Sequence, residues 1–269
     1  MTATDPVHFF DLYSDLSGPQ KSWSPNTLKV RAVLNFKKIP YTQSWMSYPD
    51  VKPLITGLGL PPNTEGLPYT LPAIIHKASV ASNPNGAMMD SFPIIQHLDK
   101  HFPGPSVFPS GDASFALVLA VEKILGLMWP VFRSLVVPRV PGHLDPRGKE
   151  YFDETRAQWF GKPLGEVRPT EQEKIDELWK LAETESAVLV RMLKGCEGKK
   201  GPFFEGEQAG YADLLVACFL AFVERFDKEL FGHFMGLGEG VFKSLYEGCL
   251  PWLEGQGIDK EWPAPASLS

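Results

Sequence analysis

The sequence predicts an N-terminal α/β domain followed by an all-helical C-terminal domain. Strand-like apolar stretches alternate with helix signals in the first part of the chain, whereas later apolar residues recur only at helical spacing. The chain has 269 residues, more than one core of ~100–150 residues needs. The cluster Phe102-Pro103-Gly104-Pro105 breaks the pattern. We therefore predict domains at residues 1–104 and 105–269.

The first domain is predicted to open with a buried strand at Val7–Tyr13. Ser24-Pro25 predicts the start of a helix, because serine is a favoured N-cap and proline suits the first helical position. Tyr41–Met46 is typical of a second strand, and Pro49–Leu60 predicts a short helix.

The last part of this domain contains the apolar stretch Tyr69–Ile75. Pro72 has no N–H group to donate to a strand ladder, so it belongs at a strand start, an edge or a turn. Ser91 is then expected to cap a helix that ends at the Pro/Gly cluster.

The second domain has three recognisable helices. Ala113–Trp129 is apolar on nearly every face and predicts a central buried helix, which Pro130 should kink. Glu122-Lys123 argues against a membrane span at that position. Thr170–Glu173 has the pattern of a capping box, and Gly210–Asp213 opens a uniformly apolar helix.

The composition is that of an ordinary globular protein, with 43% hydrophobic residues, 22% charged residues and a formal charge of −6. No block of like charges is present, which argues against nucleic acid or a membrane as partners. The N-terminal residues lack the pattern of a secretory signal, so we expect a cytoplasmic protein. Cys196, Cys218 and Cys249 have no metal-ligand spacing and are predicted to be buried thiols.

Four motifs occur in an order that resembles the cytosolic glutathione transferases. They are Ser24-Pro25, Leu71-Pro72, Asp90-Ser91, and Phe204-Glu205-Gly206 followed by Gly210-Tyr211-Ala212-Asp213. The resemblance covers nearly the whole chain. It implies a thioredoxin-like N-terminal domain, glutathione as co-substrate, no metal or redox prosthetic group, and a homodimer.

Ser24 is the candidate catalytic residue. Its hydroxyl can accept a backbone amide and still donate to a sulfur anion, and the positive end of the helix also favours a thiolate. No cysteine lies between Val7 and Pro40, which excludes redox exchange through a protein thiol in this region. The resemblance offers Tyr13 as a competitor for the catalytic hydroxyl, and we favour Ser24. Ser22 and Asn26 are near enough to share the role.

The resemblance also implies residues that bind glutathione. In thioredoxin-like folds the proline at the position of Pro72 is cis, and the backbone of the preceding residue, here Leu71, pairs with the cysteinyl part of glutathione. Asp90 and Ser91 match the pair that holds the γ-glutamyl end. Lys52 is a candidate for the glycyl carboxylate.

Within the family, the long loop after the first strand and the Trp-Ser-Pro-Asn segment are similar to the fungal, etherase-like serine-type (FuA) class. This implies attack of the glutathione thiolate on hydrophobic or aromatic electrophiles or hydroperoxides, as in detoxification. The alternatives are a ligandin that stores hydrophobic aromatic compounds, and a glutathione-dependent β-aryl etherase. The predicted walls of the acceptor site are Trp23, Phe115, Leu119, Trp129 and Phe132.

Overall fold

The computed structural model describes residues 6–263 and divides them into two compact units. The first unit contains the described residues up to Pro105, the segment Leu144–Tyr151, and the described residues from Glu254 onward. The second unit contains Ser106–His143 and Phe152–Leu253. A linear boundary at Gly104 therefore leaves out two segments that pack with the first unit.

The described part of the first unit contains one five-stranded sheet with the order β4-β3-β1-β2-β5. Its strands are β1 (Val7–Leu12), β2 (Tyr41–Met46), β3 (Ala73–Ile75), β4 (Ala87–Met89) and β5 (Ile258–Asp259). β1 pairs in parallel with β2 and antiparallel with β3, β3 pairs antiparallel with β4, and β5 adds in parallel to β2. With its helices, this is the α/β, thioredoxin-like domain that the sequence predicts.

The helices of the first unit begin close to the predicted positions. They are α1 (Pro25–Phe36), α2 (Val51–Gly57) and α3 (Ser91–His101). β3 begins directly after Pro72, which confirms the interpretation of that proline as a strand start. The prediction that Ser91 caps α3 is wrong, because Asp90 occupies the N-cap position and Ser91 is the first helical residue.

The second unit is helical in its described secondary structure. Its helices are α4 (Asp112–Leu127), α5 (Trp129–Leu135), the later part of α6 (Pro146–Phe160), α7 (Gln172–Lys194), α8 (Tyr211–Phe226), α9 (Lys228–Gly236) and α10 (Val241–Leu253). α8 is buried along most of its length and forms the centre of this unit. The all-helical second domain is thus confirmed.

The start of α8 depends on a buried carboxylate. Asp213 accepts hydrogen bonds from the backbone N–H groups of Phe204 and Gly210, each at 2.8 Å. Burial raises the pKa of this carboxyl to about 6. A β-carbon on Gly210 would lie 3.1 Å from Pro109 Cδ and 3.2 Å from Val107 O, which explains why glycine stands at this N-cap.

Three predictions for the second unit need correction. α4 is not fully buried, since Leu119 is 50% exposed and Leu127 is 47% exposed. The capping box at Thr170–Glu173 does not form, because Glu171 is the N-cap residue of α7 and makes no side-chain cap bond. Cys196 is exposed rather than buried.

The predicted kink near Pro130 is confirmed, since α4 and α5 are bent by 47° across Met128. Within the described residues, no single helix is long and apolar enough to cross a membrane. Among the described helices, the bent pair α4 and α5 is long and apolar enough for a membrane span when the two are counted together.

A buried ion pair connects the elements of the first unit. Arg31 on α1 and Asp11 on β1 are fully enclosed, with 2.9 Å between Nη2 and Oδ2. The same carboxylate accepts the Ser22 hydroxyl at 2.6 Å. The guanidinium also donates to Gln43 Oε1 on β2 at 2.7 Å and to Gln256 Oε1 at 3.0 Å. Each charged group is thus supplied with several polar partners, as burial of charge requires.

The C-terminal segment closes the edge of the sheet beside this ion pair. Asp259 accepts hydrogen bonds from Gln43 at 2.7 Å and from Trp45 at 2.9 Å. Trp262 stacks on His8 with 4.9 Å between ring centroids, and burial lowers the pKa of His8 to about 4. The last described segment, from Ile258 to Trp262, therefore packs with the sheet of the first unit.

Arg31→Met should destabilise the protein by about 3–5 kcal/mol, because it leaves the Asp11 carboxylate buried without its cation. The double variant Asp11→Leu/Arg31→Met should be more stable than the sum of the two single losses predicts. Urea unfolding at pH 7 measures all four proteins. Simple additivity would show that the two charges are not coupled.

Candidate functional site

Residues from separate parts of the first unit line a cavity of about 350 Å³. Four of the predicted site residues lie together there: Leu71, Pro72, Asp90 and Ser91. The other lining residues are Asn26, Asn63, Glu65, Leu67, Thr70, Phe92 and Pro93.

The turn before β3 is joined to the start of α3. The Leu71–Pro72 peptide bond is cis, as the resemblance implies. Asp90 N–H donates to the carbonyl oxygen of Pro72 at 3.1 Å. This bond fixes the proline turn against the first residues of α3, so both lie on the same cavity.

Asp90 is held in an unusual backbone conformation. Its φ of +74° lies in a region that residues other than glycine rarely adopt. Its Oδ1 accepts hydrogen bonds from Thr70 Oγ1 at 3.0 Å and from Asn63 Nδ2 at 3.3 Å. These bonds help to offset the conformational cost, and such strain is often found at functional sites.

The first turn of α3 supplies the opposite charge. Backbone N–H groups at a helix start lack intrahelical partners, and the helix dipole places partial positive charge there. The Ser91 hydroxyl adds a further polar group at the same point. A carboxylate can bind these donors while an ammonium group meets Asp90, so the cavity suits the zwitterionic end of an amino acid.

Ser24 occupies the N-cap position of α1 and is 7% exposed. Its carbonyl oxygen accepts Leu28 N–H at 2.9 Å, but its side chain makes no cap hydrogen bond. The structure therefore does not support the purely structural interpretation, in which the Ser24 hydroxyl caps α1. A hydroxyl at this end of α1 can donate to an anion that lies beyond the helix.

The structure separates Ser24 from two of its neighbours. Ser22 is fully buried and donates its hydroxyl to Asp11, so that hydroxyl serves the ion pair. Asn26 lines the cavity, and its Oδ1 accepts a hydrogen bond from Lys29 at 3.0 Å. Tyr13 follows β1, is half-buried, and has Lys21 Nζ 5.5 Å from its ring centroid.

Lys52 does not line the cavity. It is exposed in the first turn of α2, and its Nζ lies 5.9 Å from the ring centroid of Tyr69, which immediately precedes the cavity residue Thr70.

The five predicted acceptor residues have different environments. Phe132 is fully buried, with its ring 4.0 Å from that of Phe219, so it is a core residue rather than the wall of an open site. Trp23 is 3% exposed, and its indole N–H donates to the carbonyl oxygen of Tyr13. Leu119 and Trp129 are about half exposed, and Phe115 is half-buried.

Sequence reasoning missed Asn63, Glu65 and Thr70 as cavity residues. Asn63 and Glu65 lie in a Pro/Gly-rich loop without periodicity, so no local pattern marks them. Thr70 directly precedes Leu71-Pro72 and could have been found from that motif. Within residues 6–263, no group of three or more histidine, cysteine or carboxylate side chains is arranged to hold a metal ion.

Comparison with known proteins gives a consistent family match. Residues 21–106 match the family described as glutathione S-transferase, N-terminal domain, and residues 116–252 match glutathione S-transferase, C-terminal domain. The chain is 50% identical over 270 residues to the glutathione S-transferase-like protein ustS of Aspergillus flavus, covering 98% of each chain.

Two solved fungal structures are similar along nearly the full chain. Glutathione transferase GSTFuA3 from Phanerochaete chrysosporium has a TM-score of 0.79 at 28% identity, with 93% of this chain and 98% of that chain covered. Glutathione S-transferase CsGST63524 of Ceriporiopsis subvermispora, in complex with glutathione, has a TM-score of 0.78 at 26% identity, with 92% and 98% covered.

The two serines at the start of α1 should respond differently to truncation. Ser22→Ala leaves the buried Asp11 carboxylate without one donor and should cost about 1–3 kcal/mol of unfolding free energy. Ser24→Ala removes no cap hydrogen bond and should change stability by less than about 0.5 kcal/mol. Denaturant unfolding of both variants tests this difference. A large loss in Ser24→Ala would restore the structural interpretation of that hydroxyl.

Proposed function

The chain belongs to the glutathione S-transferase family and is a glutathione transferase, and from this premise we propose that Ser24 activates the bound glutathione thiol for attack on hydrophobic or aromatic electrophiles or hydroperoxides. The observation that carries the proposal is the cavity in which Leu71-Pro72 and Asp90-Ser91 meet at the start of α3. The similar structure of CsGST63524 is a complex with glutathione, which supports the same ligand here.

Each end of glutathione has a counterpart in the first unit. The γ-glutamyl ammonium meets Asp90, while its carboxylate binds Ser91 and the backbone amides of α3. The backbone of Leu71 pairs with the cysteinyl residue. Lys52, exposed beside Tyr69, takes the glycyl carboxylate. Glutathione is a consumed co-substrate in this scheme, with no metal or redox prosthetic group.

Ser24 acts on the cysteinyl sulfur. Its O–H donates a hydrogen bond to the thiolate, and the positive end of α1 stabilises the same charge. Lowering the thiol pKa by one unit requires about 1.4 kcal/mol of preferential stabilisation of the anion. The thiol proton passes to solvent, and with a carbon electrophile the thiolate forms a C–S bond while the electron pair of the broken bond leaves with the departing group or, in an addition, is protonated on the acceptor. With a hydroperoxide the thiolate attacks the terminal oxygen and breaks the O–O bond, which releases the alcohol. The glutathione sulfenic acid formed then reacts with a second glutathione to give the disulfide and water.

Ser24→Ala should raise the pKa of the bound glutathione thiol by about one to two units, because a charge-assisted hydrogen bond of about 1.5–3 kcal/mol is lost. Thiolate absorbance measured against pH in the complex gives this value. Tyr13→Phe is the matched control and should leave the thiol pKa unchanged. The assignment moves to Tyr13 if its variant raises the pKa and Ser24→Ala does not.

Asp90→Asn should raise the Kd for glutathione about tenfold or more, because a charge-assisted contact becomes a neutral one. Asparagine tolerates positive φ and retains an acceptor for Thr70, so the fold should survive. Calorimetry measures the binding. Glu65→Gln removes a different carboxylate from the same cavity and is the control, and an equal loss there would transfer the role of Asp90 to Glu65.

The substrate class and the setting are proposed from the resemblance of the sequence to the FuA class. We infer a cytoplasmic, detoxifying enzyme rather than a ligandin with little turnover or an enzyme dedicated to β-aryl ethers. Single-turnover assays with isothiocyanates, organic halides and hydroperoxides separate catalysis from storage of aromatic ligands. Product analysis with a β-aryl ether identifies an etherase.

We also propose a homodimer that uses the exposed face of α4. Four apolar residues on this face are spaced as one helical stripe and are exposed: Ala116, Leu119, Ala120 and Leu127. Such a stripe is longer than a small molecule needs, which favours a second copy of the chain over an acceptor at Leu119.

Sedimentation velocity should therefore detect a dimer of the 29.9 kDa chain. Leu119→Glu/Leu127→Glu should give monomers, because each charge would be buried at the interface. Val188→Glu on α7 changes a residue of similar exposure, 47%, and should leave the dimer intact. A monomeric wild type would contradict the proposal.

A further inference from the structure

A row of aromatic rings extends from the residue before Ser24 to the surface of the first unit. Trp23 lies 6.3 Å from Tyr48, measured between ring centroids. Tyr48 lies 6.0 Å from Tyr151, and these two rings are within 14° of parallel. Tyr151 is 41% exposed, whereas Trp23 is 3% exposed. Trp23, at one end of the row, directly precedes Ser24 in the sequence. Tyr151, at the other end, is exposed to solvent.

The start of α6 is fixed in place by contacts within the first unit. Arg147 forms a two-bond ion pair with Asp50, at 2.7 and 3.1 Å. The Ser47 hydroxyl donates to Asp145 Oδ1 at 3.0 Å, and Gly148 N–H donates to the same oxygen at 3.1 Å. These bonds attach both ends of the Ser47–Asp50 turn to the segment that carries Tyr151.

The close approach at Gly148 supports a built arrangement. A β-carbon at this position would lie 2.7 Å from Asp145 Oδ2 and 3.3 Å from Ser47 Oγ. A side chain here would displace the Asp145 carboxylate, which accepts the Ser47 hydroxyl and so helps to hold the start of α6 against the turn. The parallel alignment of the two rings therefore depends on several specific residues rather than on a chance surface contact.

We propose that Tyr48 and Tyr151 form an aryl-binding subsite of this enzyme, with Tyr151 the specificity-determining residue. The subsite rests on the proposed function, since it receives the aromatic group of the electrophile whose reactive carbon meets the thiolate at Ser24. Aromatic rings attract one another in offset-stacked and edge-to-face geometries beyond the burial of area. This assignment replaces Phe132, Leu119 and Trp129 as walls of the acceptor site.

The test compares two glutathione conjugates that differ only in the group on sulfur. S-benzylglutathione carries an aryl ring, and S-ethylglutathione does not, so the ratio of their affinities isolates binding of the ring. Calorimetry with both conjugates and with glutathione requires no turnover. Tyr151→Leu should lower the benzyl-to-ethyl affinity ratio about fivefold through loss of ring stacking. Tyr151→Phe keeps the ring and should retain the wild-type ratio.

Equal weakening of both conjugates by Tyr151→Leu would indicate a merely structural role and would overturn the subsite. An unchanged ratio would overturn it as well, as would a fivefold loss in Tyr151→Phe. If the wild type binds glutathione in any of these cases, the proposed function is not contradicted. A wild type that binds neither glutathione nor the conjugates would overturn both proposals.

Discussion

The first unit depends on one fully buried ion pair, Asp11–Arg31, whose charges must be satisfied inside the protein. Because desolvation of two charges is costly, every element around them contributes a polar partner. β2 supplies Gln43, the C-terminal segment supplies Gln256, and the loop before α1 supplies Ser22. The ion pair thus fixes the position of Ser22, two residues before Ser24, and links it to Gln256 in the C-terminal segment.

The cavity proposed to bind glutathione depends on a second constraint, the positive φ of Asp90. This conformation lets Asp90 N–H bond to Pro72 O while its carboxylate accepts Thr70 and Asn63. The negative side chain is thereby held beside the positive start of α3, and in the proposed function these two charges bind opposite ends of one zwitterion. Backbone strain at this residue and ligand recognition are two aspects of the same arrangement.

The second unit places its large apolar residues in two kinds of environment. Phe132 packs between Phe219 and Phe234 and stabilises the helical core. Leu119 and Leu127 lie on the outer face of α4. The apolar patterns of the helices do not distinguish these environments, because periodicity identifies a face of a helix but not what covers that face. For this reason the acceptor residues could not be chosen from the apolar pattern of α4 alone.

The sequence by itself determined the strands β1 and β2, the start of α1 at Ser24-Pro25, the strand start after Pro72 and the start of α3 at Asp90-Ser91. Each of these is a local pattern, in which a proline, a cap or an apolar period acts within a few residues. The tertiary structure was needed to show that the Ser22 hydroxyl donates to Asp11, whereas the Ser24 hydroxyl makes no cap hydrogen bond. It also showed that β5 pairs with β2 and that the Tyr151 ring lies nearly parallel to that of Tyr48. Asn35 Nδ2, for example, donates a hydrogen bond to the carbonyl oxygen of Gly255, which is 220 positions away. Such long-range pairing leaves no periodic signal in a single sequence.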